Sequence, residues 1–123
     1  MASADRSRVI HVAEARRAIP GPAGQHSVGV LQHGTLSLRL SLPGTPNRQT
    51  PHTQDEVYVI VRGRGYLFHD GKRDAFDAGD AMFVAAGTEH HFEDLSEDLA
   101  VWVIFYGPPG GEGPSEVSED TLS

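Results

Sequence analysis

Residues 50–65 read "TPHTQDEVYVIVRGRG". The first half is polar, with one histidine and two adjacent acids. The second half is a dense run of β-branched and aromatic side chains closed by glycines, which reads as a β-strand. The same pattern continues outward from it. "GYLFHDGKRDAF" (65–76) carries Asp70-Gly71, the two-residue hairpin signal, between two short strands. "DAGDAMFVAAG" (77–87) is a turn followed by an apolar strand, and "EHHFEDL" (89–95) and "LAVWVIFY" (99–106) complete the series. Upstream, "HSVGVLQHGTLSLRLSLP" (26–43) alternates Leu36, Leu38, Leu40 and Leu42 with Ser37, Arg39 and Ser41, which suits a half-buried strand. A single helical turn is expected near "VAEARRAI" (12–19). Short strands at regular spacing with glycine punctuation predict an all-β sandwich or barrel. A barrel is preferred because closure removes the unpaired edges of apolar strands.

The bulk numbers bound the function. At 123 residues the chain is expected to be one domain. Residues 107–123, "GPPGGEGPSEVSEDTLS", hold four acids and no base, so the net charge of −7 leaves a body that is only mildly acidic. The organisation expected is a flexible N-terminus (1–7), a folded domain (8–106) and a disordered acidic Gly/Pro/Ser-rich tail (107–123). No basic stripe is present to neutralise phosphates, so nucleic acid is not an expected partner. No secretion signal and no run of about 18 apolar residues is seen. The absence of cysteine excludes disulfides and thiolate metal sites and suits a reducing compartment, so a cytoplasmic protein is expected.

Chemistry is concentrated in two stretches. On a strand, even offsets share a face, so Glu56, Tyr58 and Ile60 lie together, and His52 joins them if the extended backbone reaches back to the turn. In "AAGTEHHFED" (85–94), His90, Phe92 and Asp94 alternate with His91 and Glu93. If the two strands meet with these faces inward, His52, Glu56 and His90 converge as two imidazoles and one carboxylate, a set that binds a metal and leaves positions open. The other reading of the same residues is a solvated polar barrel mouth. His91 is out of phase and reads as outward-facing, His33 as half exposed and His69 as surface. Trp102, Phe68, Phe83 and Phe92 read as core. No nucleophile-elbow or phosphate-loop pattern occurs.

These two stretches resemble the paired motifs of the cupin superfamily, the small RmlC-like jelly-roll β-barrels. Gly44, His52, Glu56 and Gly63 fall in register with the first motif, and Thr50 stands where that motif has its first histidine. Gly79, Gly87 and His90 fall in register with the second, with Ala85 in place of proline and Asp94 in place of asparagine. The resemblance implies a jelly-roll barrel holding a divalent transition metal (Fe, Mn, Ni, Co or Zn) through His52, Glu56 and His90. It implies a small oxygen-rich ligand and a homodimer. Tyr58 is then the candidate proton donor, and Thr50 and Gln54 the candidates for orienting metal-bound groups or substrate. An enzyme of this kind is a dioxygenase-like oxidoreductase, an isomerase or a lyase. The alternative is a non-catalytic binding or sensing cupin with weak or no metal.

Overall fold

The computed structural model describes residues 7–44 and 51–113. Helix α1 (Val12–Arg17) precedes strands β1 (Ser27–His33), β2 (Leu36–Ser41), β3 (Asp55–Arg62), β4 (Arg64–His69), β5 (Lys72–Asp77), β6 (Ala81–Val84), β7 (His90–Glu93) and β8 (Ala100–Tyr106). The strands form two antiparallel sheets, one in the order β1-β2-β8-β3-β6 and one in the order β5-β4-β7. This is the expected all-β jelly-roll. Asp70 and Gly71 both adopt positive φ (50° and 74°) between paired His69 and Lys72, as a tight hairpin requires. Gly63, between β3 and β4, has φ 91°, and a Cβ there would lie 2.7 Å from the Leu99 backbone, so glycine is obligatory at this corner. Among the described residues no helix is long and apolar enough to cross a membrane.

Between the sheets lies an apolar core. Tyr58, Ile60, Val101 and Val103 come from the larger sheet; Leu67, Phe76 and Phe92 come from the smaller one. Cross-strand partners share a face, so register identifies what else points inward. Tyr58 pairs with Val103 and Val103 with Arg39; Ile60 pairs with Val101 and Val101 with Ser41. The serines and the arginine of β2 therefore line the inner face, and its leucines line the outer one. Leu40 is nonetheless completely buried, because α1 packs across β2 and contributes the buried Ala15.

The same register corrects three aromatic assignments. Trp102 pairs with Leu40 and Val59, and Phe83 with Val57, so both stand on the outer face of the larger sheet. Phe83 is 56% exposed and Trp102 half-buried. Phe68 pairs with His91 and Arg73 on the outer face of the smaller sheet and stacks on the His91 ring. Phe92 alone of the four is core. The alternation was visible in the sequence; which side of it faced the core depended on neighbours.

Residues 107–113, which composition assigns to the tail, are hydrogen-bonded to the barrel. Gly107 N donates to Thr35 Oγ1 (3.0 Å), Gly110 N to the Thr53 carbonyl (2.6 Å) and Glu112 N to Asp55 Oδ2 (2.8 Å). Main-chain donors do this work, and composition does not report them.

The facing of β2 is open to test. Leu40→Ala is expected to cost about 2–4 kcal/mol in denaturant unfolding, the range for truncating a fully buried leucine. Ser41→Ala, on the half-exposed inner face, is expected to shift stability by no more than about 0.5 kcal/mol. Equal effects would show that the strand is turned the other way.

Candidate metal centre

Two loops and two strands assemble the site. Glu56 is the second residue of β3 and is registered against Val84 of β6 and Phe105 of β8, which fixes it on the inner face. His90 opens β7 in the opposing sheet. The loop carrying His52 is tied to the loop before β7 by a bond from Gly87 N to the His52 carbonyl (2.8 Å). Asp55 reinforces this tie. It is buried, and its carboxylate accepts from Ala86 N (2.9 Å) through Oδ1 and from Glu112 N through Oδ2. The Glu112 and Ala86 amides hold its pKa below the ordinary carboxylate value, against the smaller opposing effect of burial.

His52, Glu56 and His90 come together as the motifs implied. One donor atom from each lies within 4.8 Å of the others. Glu56 and His90 are almost fully buried, while the His52 side chain is 37% exposed, so the cluster opens on the His52 side. Phe105 sets its ring edge against His52, with centroids 4.8 Å apart. Sequence reasoning did not single out Phe105; its even offset from Val103 along β8 was the available signal.

Hydrogen bonding decides the tautomer of His90. Its Nδ1 lies 2.8 Å from the Thr88 carbonyl, which only accepts, so Nδ1 carries the proton. The neutral ring then presents an acceptor lone pair at Nε2. That atom receives the Tyr58 hydroxyl at 3.0 Å and faces Glu56 Oε1 at 3.2 Å. Oε1 is buried and makes no hydrogen bond. A buried carboxylate oxygen without a partner is relieved by a positive charge between it and Nε2. Without metal a proton supplies it. Burial, the largest influence, pushes the His90 pKa down, but protonation gives Nε2 a hydrogen bond to offer Glu56, and this, the Thr88 carbonyl and the Glu56 charge together raise it.

A metal ion fits the same requirement. Donors bound to one ion at about 2.0–2.2 Å stand about 3–4 Å from each other. The cluster has Nε2 of His90 at 3.2 Å from Glu56 Oε1, and Nε2 of His52 at 3.9 Å from Glu56 Oε2. The Thr88 carbonyl supplies the outer support that orients a metal-binding imidazole.

The remaining candidates divide. Tyr58 reaches the cluster through His90 Nε2. Gln54 does not point its amide at it; Nε2 donates to the carbonyls of Thr35 (3.0 Å) and Gly107 (2.9 Å) and so fastens the mouth of the barrel. Thr50 lies outside the described residues. His91 is on the outer face, paired with Glu93 (2.9 Å), and His69 bonds Asp74 (2.7 Å) at the surface.

Comparison with known proteins agrees with this geometry. Residues 41–106, more than half of the chain, match the family model described as a cupin domain. An uncharacterized protein of Streptomyces coelicolor is 42% identical over 65 residues, which is 53% of this chain and 62% of the relative; the match thus spans less than two thirds of that protein. Among solved structures, a cupin-2 domain containing protein from Shewanella frigidimarina superimposes with TM-score 0.63 at 18% identity, over 82% of this chain and 94% of its own. A predicted oxalate decarboxylase from Thermotoga maritima gives TM-score 0.52 at 22% identity, over 65% and 77%. At these identities the two structures establish the fold.

The raised pKa of His90 has a definite sign. In the metal-free protein the His90–Glu56 ion pair stabilises the fold fully below the unfolded imidazole value, about 6.5, and is lost as pH rises through the folded value. A metal bound through His90 Nε2 would displace that proton. Affinity for Zn(II), measured by competition titration, is therefore expected to fall about tenfold per pH unit below the folded His90 value. Affinity independent of pH from about 8 to about 6 would remove His90 from the ligand set.

Proposed function

Because the chain belongs to the cupin family, we propose that it holds a divalent transition metal through His52, Glu56 and His90 and binds a small oxygen-rich molecule beside it. The observation that carries this reading is the buried Glu56 Oε1, without a hydrogen bond, 3.2 Å from Nε2 of His90. Nitrogen and oxygen donors without sulfur suit Fe(II), Mn(II), Ni(II), Co(II) or Zn(II). When bound, such an ion supplies Lewis-acid polarisation of an oxygen ligand or activation of dioxygen.

The chain's own residues supply the rest. Glu56 and His90, fixed by strand register and the Thr88 carbonyl, hold the buried side of the site. His52 and Phe105 border its open side, where a carboxylate, enolisable ketone or catechol is admitted. The Tyr58 hydroxyl, at His90 Nε2, keeps a proton within the cluster and is the group assigned to proton transfer. The reaction type is dioxygenase, isomerase or lyase. The Thermotoga protein's name, a predicted oxalate decarboxylase, supports a carboxylate among these ligands. The cysteine-free composition supports a cytoplasmic location. One observation favours the second reading, a binding or sensing cupin without turnover: the Gln54 amide is engaged by backbone carbonyls, which leaves Tyr58 as the one candidate for proton transfer already named that reaches the cluster.

A homodimer belongs to the same proposal. Leu31, Leu38, Ile104, Val57 and Phe83 are successive cross-strand partners, an apolar row across all five strands of the outer face. Such a face is suited to pack on a second copy. Light scattering after gel filtration is expected to give twice the chain mass for wild type and a shift toward monomer for Phe83→Lys; a monomeric wild type contradicts it.

Elemental analysis tests the metal. After reconstitution with each of the five ions, wild type is expected to retain stoichiometric metal, and His52→Ala and His90→Ala to lose it. Tyr58→Phe is expected to keep the metal and, for an enzyme, to lower turnover by about 10²-fold or more. A wild type that retains none of the five ions overturns the proposal.

A further inference from the structure

The inner face of the larger sheet changes character halfway across. Over β3 and β8 it is apolar apart from Glu56. Over β1 and β2 it is polar: Ser41 pairs with Ser27, Arg39 with Gly29, and Ser37 with Gln32. Three strands lie opposite five, and this overhang is where cover is thinnest. Gly29 and Gln32 are exposed, and Ser27, Ser37, Arg39 and Ser41 are half-buried. A cavity of about 350 Å³ lies here, lined by Arg8, Gly29, Gln32, Ser37 and Arg39 among others.

Two features of this cavity point to a ligand. The first is charge. Two arginines line it and no acid does, in a chain whose net charge is −7. Among the described residues neither arginine forms an ion pair. Arg8 Nη2 donates to the Val30 carbonyl (2.6 Å) and Arg39 Nη2 to Ser27 Oγ (3.0 Å). Each of these bonds uses one of a guanidinium's five N–H donors. The second is room. The Arg39 guanidinium lies over Gly29, where a Cβ would come within 3.0 Å of Nη1. A β-branched residue, the ordinary choice for a strand, would displace it. Arg8 is exposed; the half-buried Arg39 has given up hydration for one hydrogen bond and, among the described residues, no counter-ion.

We propose that this cavity is a binding site for a small oxyanion, a carboxylate or a phosphate, clamped between the forks of Arg39 and Arg8 with the hydroxyl of Ser37 and the amide of Gln32 at its edge. A planar guanidinium offers two parallel N–H groups to two oxygens of such a group. The volume suits a molecule of a few heavy atoms. The site stands on β1, β2 and the segment before α1. It shares no residue with the metal cluster and does not depend on it.

The test is the thermal midpoint of the full-length protein against increasing succinate, and separately inorganic phosphate, with sodium chloride at matched ionic strength as reference. A ligand of the native state raises the midpoint along a saturable curve that yields Kd. At least one of the two anions is expected to do so beyond chloride, and the stronger identifies the source class. Arg39→Gln is expected to weaken binding by about tenfold or more. Arg8→Gln and Gly29→Val, which respectively remove the second fork and push the first aside, are expected to weaken it severalfold. They carry the test if Arg39→Gln fails to fold. His52→Ala is expected to leave the curve unchanged, which separates this site from anions bound at a metal. Effects no greater than those of chloride, or an Arg39→Gln curve matching wild type, overturn the proposal. So does loss of binding in His52→Ala alone, which would place the anion at the metal.

Discussion

The proposed metal chemistry depends on one contact: a buried carboxylate oxygen of Glu56 beside Nε2 of His90, 3.2 Å apart. Both side chains are almost fully buried, and the Glu56 oxygen has no hydrogen bond. A proton or a metal ion between them offsets the cost of burying the carboxylate. The raised His90 pKa expresses the first solution and the nearby His52 supplies the third donor for the second. The three donors could hold a metal ion, and under the proposal above a proton and that ion compete for the same place.

The fold's contribution is to set up that contact. Glu56 and His90 come from opposing sheets; strand register places Glu56, and register together with the Thr88 carbonyl places His90. The link from Gly87 to the His52 carbonyl and the double acceptance by Asp55 bind the loops of the two motifs to each other. Asp55, adjacent to Glu56 in sequence, does the opposite job: it uses a carboxylate to organise backbone, and its pKa falls. Two neighbouring acids on one strand thus have separate roles because their side chains point to opposite sides.

Much of this was legible beforehand. The strand run of β3, the Asp70-Gly71 hairpin and the helical turn at α1 follow from local rules, and the spacing of Glu56 and His90 within two motifs placed them in one site. What was not legible needed tertiary neighbours. The leucines of β2 alternate correctly, but only the register with β8 and the packing of α1 show that they face outward. Trp102 and Phe83 have core composition and lie outside for the same reason. Gln54 shares parity with His52 and Glu56, yet its amide bonds the carbonyls of Thr35 and Gly107, residues distant in sequence. Backbone donors in a glycine-rich stretch hold residues 107–113 to the barrel, and no composition rule detects them.

The larger sheet thus carries three environments: an apolar outer face, an inner core with one buried acid, and an inner polar margin bearing an arginine. The most direct test of the central claim is X-ray absorption at the zinc edge of the Zn(II)-loaded protein. The account predicts nitrogen and oxygen donors at about 2.0–2.2 Å with the outer-ring scattering of two imidazoles. A donor shell of water oxygens without imidazole scattering would contradict it.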